Sequence, residues 1–193
     1  MNSFYSIDEL SELGFKAMGE NVRLSKKASF YGAQNISIGN HVRIDDFCII
    51  SGNVEIGSFV HISPYTGLFG GEAGIVMEDF VTISSRSVVY AATDDYSGEF
   101  MTNPTILDEY RYVKESRVNI GKHVIIGTGC TVLPGVNIGE GAAVGAMSLV
   151  LRDIEPWSMN KGIPCSKYKE RSRKLLELEQ EFIKRKSSID GRE

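Results

Sequence analysis

The sequence predicts an all-β solenoid, a left-handed parallel β-helix with a short N-terminal helix cap, an inserted loop and a C-terminal helix. Three observations predict this fold. An aliphatic residue recurs at every sixth position, a glycine often follows it, and a smaller residue stands four positions after it. An α-helix would instead repeat its apolar residues at spacings of three and four. Antiparallel sheets would show turn signals every 8–12 residues or so.

The six-residue period is the main signal. All twelve positions of two long runs are aliphatic, and a third run is shorter. Six residues suffice for one short strand and one turn, so three faces would close a coil of about 18 residues. We expect each aliphatic residue to point inward and stack on its equivalent in the next coil. The runs are Ile38, Ile44, Ile50, Ile56, Ile62, Leu68; Ile120, Ile126, Val132, Ile138, Val144, Val150; and Met77, Ile83, Val89.

The glycines and smaller residues complete this repeat. Glycine suits a turn that needs a positive φ or a close backbone approach. The smaller residues are expected to fill the remaining interior, and two cysteines lie in this slot. With three cysteines and no CxxC pair, the chain predicts neither a disulfide framework nor a zinc site. The glycines are 39, 57, 121, 127, 139 and 145; the smaller residues are Val42, Cys48, Val54, Val60, Thr66, Val81, Ser87, Thr93, Val124, Cys130, Val136, Ala142 and Ser148.

The two ends differ from the repeat. Ser6 and Glu9 have the spacing of a capping box, and Gly14 is a candidate helix stop. A helix there would cover the open end of the coil, where a solenoid exposes its core. At the other end, KYKERSRKLLELEQEFIKRK predicts an amphipathic helix with Leu175, Leu178 and Phe182 on one stripe. We therefore expect a helical cap over 1–20, the β-helix over 21–155 and a C-terminal extension with its helix over 156–193.

Two segments interrupt the period. A short insertion, LFGGEAGI, spans 68–75 and predicts a bulged loop beside a possible site. The longer one spans 91–118, is polar and aromatic, and has no six-residue period. Loops of this length within compact folds are usually functional.

The overall composition restricts the partners. The net charge is −4, so the chain as a whole is not expected to bind nucleic acid. No apolar run approaches the ~20 residues that a membrane span requires. The first residues lack the basic and apolar regions of a signal peptide. These observations predict a cytoplasmic protein.

Residues 35–169 resemble the hexapeptide-repeat acetyltransferases. That family includes galactoside and maltose O-acetyltransferases and the sugar N- and O-acetyltransferases of surface-polysaccharide pathways. The resemblance is carried by the repeats, by Val144-Gly145-Ala146, by Asp153-Ile154 with Pro156, and by Gly162-Ile163-Pro164-Cys165. It implies an acetyl-CoA co-substrate and a homotrimer with active sites between subunits.

The resemblance also implies residues that contact the cofactor. The pantetheine arm would run along the coil beside Gly127, Gly145 and Ala146, and Lys167 would lie near the phosphates. The residues themselves agree in part, because Lys161, Lys167 and Arg171 form a local basic cluster suited to a phosphorylated ligand. The alternative is that these cations flank the start of a helix.

The catalytic residues are less clear from the pattern. Members of this family usually carry a histidine in the interrupting loop as general base, and this loop has none. Asp94 or Asp95 could replace it if burial or the neighbouring carboxylate raised the pKa. The pair could instead bind sugar amine or hydroxyl groups, or form a polar turn. His123, on the first coil after the loop, is the third catalytic candidate.

The acceptor is expected to contact Tyr96, Ser97 and Asn103 in the same loop. The predicted activity is acetyl transfer to a hydroxyl or amine of a sugar, either nucleotide-linked or for surface polysaccharide or O-antigen. Acceptor identity, O- versus N-transfer and acyl length stay open at this point. A non-catalytic scaffold is the alternative function. A zinc-dependent carbonic anhydrase is disfavoured and no metal is expected, because the three histidines lie far apart in the sequence and form no close pair on one coil.

Overall fold

The computed structural model describes residues 3–190 and the side chains of residues 3–186. The chain forms a left-handed parallel β-helix of about seven coils. Helix α1 (Ile7–Glu12) precedes the coils and helix α2 (Leu175–Asp190) follows them, with short 3₁₀ turns at Ala33–Asn35 and Asp108–Tyr110.

Three sheets form the three faces of the coil, with strands numbered in chain order. The first face contains β1 (Ala17–Met18), β4 (Ile36–Ile38), β7 (Val54–Ile56), β10 (Ile75–Met77), β15 (Val118–Ile120) and β18 (Asn137–Ile138). The second contains β2 (Arg23–Leu24), β5 (Arg43–Ile44), β8 (His61–Ile62), β11 (Thr82–Ile83), β16 (Ile125–Ile126), β19 (Ala143–Val144), β21 (Ser158–Lys161) and β22 (Ser166–Glu170). The third contains β3 (Ser29–Tyr31), β6 (Ile49–Ser51), β9 (Gly67–Phe69), β12 (Val88–Tyr90), β17 (Thr131–Val132) and β20 (Leu149–Val150). A separate hairpin pairs β13 (Ala92–Asp94) with β14 (Val113–Glu115).

The interior is the one that the six-residue period predicts. The twelve aliphatic residues of the two long runs are at most 4% exposed. The residues of all three runs stack in register between coils, so that Ile83 of the short run lies between Ile62 and Ile126. Cys48 and Cys130 are buried in the small-residue slot, and all three cysteines are free. Thr93 was wrongly expected there: the chain leaves the coil after buried Ala91, and Thr93 lies in the hairpin.

The glycines of the repeat are explained by close approach. A Cβ on Gly39 would lie 2.7 Å from the carbonyl carbon of Gly57, and one on Gly127 would lie 2.6 Å from the nitrogen of Ala146. Neither glycine has a positive φ. The left-handed residues include other glycines and also bulky corner residues such as His41 and His123, with φ of 57° and 60°. Their neighbours on adjacent coils stack with them and compensate for the unfavourable backbone.

The ends differ partly from expectation. The capping box of α1 is confirmed, with Ser6 Oγ accepting from the Glu9 amide and Glu9 accepting from the Ser6 amide. The helix predicted from residue 167 onward is wrong at its start, because residues 166–170 form β22, antiparallel to β21. Pairing with a free sheet edge there outweighs helix propensity. The first face already starts at residue 17, and the second continues through β22 to residue 170. The division of the chain at residues 20 and 155 stays a prediction.

No helix within residues 3–190 is both long and apolar enough to cross a membrane.

Candidate functional site

The long insertion leaves the coil at the third corner, where the third face turns into the first. The chain departs after β12 and returns at β15. Its two arms pair as the β13–β14 hairpin, with Asp94 opposite Val113, and Met101 forms a further bridge with Arg111. The predicted loop therefore has an ordered base that places Asp94 at the outer end of a two-stranded ribbon.

The two neighbouring aspartates have different surroundings. The Asp95 carboxylate accepts the Ser97 hydroxyl at 2.8 and 2.9 Å, the Gly98 amide at 2.9 Å and the Phe100 amide at 3.4 Å. These bonds hold the pKa of Asp95 below its usual value, and the bond from the Ser97 hydroxyl contributes most. The half-buried Asp94 carboxylate has no hydrogen bond to any other described residue. Asp95 therefore closes a turn, and Asp94 keeps its oxygens available to a ligand.

The three expected acceptor contacts lie on the outer part of this loop. Tyr96 is 93% exposed. The Ser97 hydroxyl is used within the Asp95 turn. Asn103 Oδ1 accepts the Thr105 amide at 3.0 Å and the Thr105 hydroxyl at 2.6 Å. Tyr96 is thus the most accessible of the three, whereas Ser97 and Asn103 shape the loop in this structure.

The expected cofactor residues lie on a strip at the second corner, where the second face turns into the third. Because Ile83, Ile126, Val144 and Asn160 are in register, the residues that follow them are stacked as well. We call this strip, Ser84, Gly127, Gly145 and Lys161, the glycine ridge. Its amides bond from coil to coil, as from Gly127 N to Val144 O at 2.8 Å and from Gly145 N to Asn160 O at 2.7 Å. Its two glycines carry no side chain, and exposed Ala146 adjoins it.

The three basic candidates have different partners, although Lys161 and Lys167 lie on the paired strands β21 and β22. Lys161 ends the glycine ridge, with its ammonium 4.7 Å from the Tyr168 ring centroid. Lys167 is paired with Glu155 at 2.9 Å and Glu170 at 2.6 Å. Arg171 Nη1 donates to the carbonyls of His123, Gly141 and Ala142, at the corner between the first and second faces. Arg171 therefore secures a corner of the coil, away from the ridge.

His123 also lies away from the loop that carries Asp94. It stands at the first corner, between the first and second faces, where its ring stacks on Phe80 at 5.0 Å. Its Nε2 is 2.8 Å from Glu179 of α2, and its side chain is 9% exposed. Within one chain, the fold does not bring His123 to Asp94, and the histidine attaches α2 to the coil.

No group of three or more histidine, cysteine or acidic side chains within residues 3–190 is arranged to hold a metal ion. His61 pairs with Asp45 at 2.8 Å on the second face.

Ser84 is a candidate that the sequence analysis missed. It belongs to the glycine ridge, directly one coil before Gly127, and lies on the coil that leads into the insertion. The available signal was weak: a serine follows Ile83 where glycine follows the equivalent Ile126 and Val144.

Comparisons with known proteins show which family the chain resembles. Residues 35–70 and 117–152 match the family described as bacterial transferase hexapeptide (six repeats). The chain is 50% identical over 177 residues to a dTDP-4-amino-4,6-dideoxy-D-glucose acyltransferase from Escherichia coli, covering 90% of this chain and 92% of that one.

Solved structures show the same relationship. AntD, an N-acyltransferase from Bacillus cereus in complex with dTDP and 3-hydroxybutyryl-CoA, is 55% identical, with a TM-score of 0.94, covering 97% of this chain and 100% of that one. The D94A and S84A variants of AntD align with a TM-score of 0.93 over 95% of this chain and 99% of each, the second in complex with dTDP-4-amino-4,6-dideoxyglucose and coenzyme A. A galactoside acetyltransferase shares the fold at 20% identity, with a TM-score of 0.58 over 86% of this chain and 71% of that one.

Proposed function

Because this chain belongs to the hexapeptide-repeat sugar acyltransferases, we propose that it acylates the amino group of a dTDP-linked amino sugar. The chain is an acyl-CoA-dependent sugar acyltransferase, which rules against the non-catalytic scaffold. The observation that carries the finer proposal is its 50% identity to the E. coli acyltransferase over nearly the whole length of both chains. A hydroxyl acceptor, the other possibility left by the sequence, becomes the second candidate.

The glycine ridge supports a place for the coenzyme. An extended pantetheine arm needs backbone amides and carbonyls that side chains do not cover. The amides of Gly127 and Gly145 bond to the next coil, and their carbonyls accept the Ser87 and Ser148 hydroxyls. These two glycines therefore offer a strip without side chains, and exposed Ala146 beside them offers its backbone groups. Lys161 at the end of this ridge is the nearest of the proposed cations to it. Lys167 already pairs with Glu155 and Glu170, and these carboxylates compete with a phosphate for its charge.

Asp94 is proposed to act on the acceptor. The amine nitrogen forms a bond to the thioester carbonyl carbon, the carbon–sulfur bond breaks, and coenzyme A leaves as thiolate. The nitrogen must lose a proton in this exchange, and the sulfur gains one. The unpartnered Asp94 carboxylate can orient the amine and accept that proton, whereas the Asp95 oxygens are engaged.

Ser84 is proposed as a further residue of this site. Substitutions at positions 84 and 94 have been made in AntD, and this chain has serine and aspartate at the same numbers. The Ser84 hydroxyl belongs to the glycine ridge, where a hydrogen-bond donor can stabilise the charge that develops on the thioester oxygen.

We propose a homotrimer in the cytoplasm, with each site formed between neighbouring subunits. The resemblance supports the trimer. A trimer would also complete a site whose two parts, the glycine ridge and the Asp94 hairpin, lie at different corners of one chain.

The experiment that tests this function is a transfer assay with purified protein. Acetyl-CoA and 3-hydroxybutyryl-CoA are each incubated with dTDP-4-amino-4,6-dideoxyglucose, and thiol release is followed while mass spectrometry identifies the product. We expect an acylamide and stoichiometric free coenzyme A. dTDP-glucose, which lacks the amine, is the matched control. Turnover of dTDP-glucose with none of the amino sugar would contradict N-acylation and favour O-acylation.

A further inference from the structure

The β13–β14 hairpin that carries Asp94 needs support from the coil. It consists of three residue pairs, with Asp94 opposite Val113 at the outer end and Ala92 opposite Glu115 at the base. An isolated two-stranded hairpin is marginally stable in water. Contacts at its base therefore decide how firmly Asp94 is held.

The Glu115 carboxylate makes the principal contact of this kind. Its two oxygens each lie 3.2 Å from the Glu72 amide nitrogen, and Oε2 also accepts the Ala73 amide at 3.1 Å. Both amides belong to the short insertion that follows β9. Hydrogen bonds from backbone amides to a carboxylate are charge-assisted and directional. The short insertion thus binds the base of the long insertion through these two amides.

Neighbouring groups reinforce the same junction. Arg117 Nε donates to the Ala73 carbonyl at 3.1 Å. The Ser116 amide donates to the Ala91 carbonyl at 2.9 Å, where the hairpin arms leave the coil. The base of the hairpin is therefore bonded both to the coil and to the short insertion.

Gly71 leaves the space that this carboxylate occupies. A Cβ at position 71 would lie 2.7 Å from Glu115 Oε1, and the φ of Gly71 is +53°. A side chain there would both strain the backbone and displace the carboxylate. The glycine and the glutamate, 44 positions apart in the chain, are thus fitted to each other.

We propose that Glu115 is a positioning residue for the acyl transfer: by binding the Glu72 and Ala73 amides, it fixes the hairpin and orients Asp94 toward the acceptor. This inference rests on the proposed function, in which Asp94 acts on the acceptor amine. It also assigns a role to the short insertion, which holds the base of the hairpin.

The test compares Glu115→Gln with Gly71→Ala, with the double variant and with Asp94→Asn. Glu109→Gln is the matched control, because Glu109 is an exposed carboxylate in the same long insertion. The kcat, both KM values and the pH profile of kcat are measured with dTDP-4-amino-4,6-dideoxyglucose and acetyl-CoA, together with the melting temperature.

We expect Glu115→Gln to lower kcat by about 10- to 100-fold, the size of effect that misplacement by about 1 Å can produce. The KM for acetyl-CoA should not change, because the glycine ridge is untouched, and the melting temperature should match that of Glu109→Gln.

Gly71→Ala should lower kcat similarly, and the double variant should be no worse than the worse single variant, as for two changes at one contact. If Glu115→Gln does not fold, the same kcat loss in Gly71→Ala supports the proposal.

Normal kcat in Glu115→Gln, beside a large loss in Asp94→Asn, would overturn the positioning role and leave the proposed function intact. If Glu115→Gln weakened coenzyme binding and lowered the melting temperature along with kcat, the positioning role would be overturned as well, since the contact would then be merely structural. Full turnover in Asp94→Asn would refute the role of Asp94 in the proposed function itself.

Discussion

At the scale of single residues, Asp94 and Asp95 are neighbours whose carboxylates have opposite surroundings. Asp95 accepts bonds from the Ser97 hydroxyl and two amides. Hydrogen bonds to the ionised form stabilise it, which lowers the pKa of Asp95 and weakens it as a base. Asp94 is the one with oxygens available to an acceptor. The two residues should therefore respond differently to the same substitution.

We predict that Asp94→Asn lowers kcat by about 10²–10⁴-fold, the contribution typical of a general base. Asp95→Asn should lower it by about fivefold or less, because asparagine can still accept an amide bond in such a turn and the loss is about 1 kcal/mol. Steady-state rates with the amino-sugar nucleotide measure both. An equal loss of kcat in the two variants would show that the activity depends on the conformation of the loop and not on the Asp94 carboxylate.

Another difference at residue scale concerns the histidines. His41 and His123 occupy equivalent slots of the repeat, and both stand at the first corner with a positive φ. His41 stacks on Phe59 and His123 on Phe80, with ring centroids 4.8 and 5.0 Å apart. The equivalence of slot was visible in the sequence. The bond from His123 to Glu179 was not, because 56 residues separate the two partners.

At the scale of elements, helix α2 is attached to the first corner through ionic contacts of Glu179 and aromatic contacts of Phe182. Glu179 lies 2.6 Å from Lys122 Nζ and 2.8 Å from His123 Nε2. Phe182 packs edge-on against Phe59 and Phe80. Burial raises the pKa of Glu179, but the hydrogen bonds from Lys122 and His123 outweigh it and hold the pKa below its usual 4.5.

The attachment of α2 should therefore weaken in acid. A carboxylate whose pKa is lowered by folding contributes its stabilisation above the unfolded pKa and loses it as pH falls through the folded pKa. We predict that hydrogen-exchange protection of α2 falls, relative to the coil strands, as pH drops below about 4.5. Glu179→Gln should already lower this protection about tenfold at neutral pH, for a charged hydrogen bond of about 1.5 kcal/mol, and should remove the acid dependence.

Glu177→Gln provides the control, since Glu177 is an exposed carboxylate on the same helix. An unchanged acid dependence in Glu179→Gln would mean that other groups control the attachment.

At the scale of the whole molecule, one chain separates the two parts of the proposed site. The glycine ridge lies at the second corner and the Asp94 hairpin at the third, at either end of the third face. A trimer would let the hairpin of one subunit meet the ridge of another. We predict that light scattering after size exclusion gives the mass of three chains at assay concentrations. A monomer with full turnover would contradict sites formed between subunits.

The sequence by itself determined the coil and the family. The interior column follows from a strict six-residue period, because each aliphatic residue can be buried only by stacking on its equivalent in the next coil. The resemblance to a known family pointed to Gly127, Gly145 and Ala146, and a basic cluster pointed to Lys161. Gly127, Gly145 and Lys161 are stacked on the glycine ridge with Ala146 beside them, whereas Ser84 of the same ridge was not anticipated. The long insertion was identified because the period stops at its edges.

Only the tertiary structure decided which residues beyond the repeat meet. Val88 lies beside Thr131 because the chain between them leaves the coil and returns. No local pattern specifies the path of such a segment, since its conformation depends on contacts with parts of the chain that are distant in sequence. The distinction between Asp94 and Asp95, the contact of His123 with α2 and the bonds of Glu115 to the short insertion all depend on that path. The six-residue period extends only as far as each coil packs against the next, and we propose that the acceptor is bound where the period is interrupted.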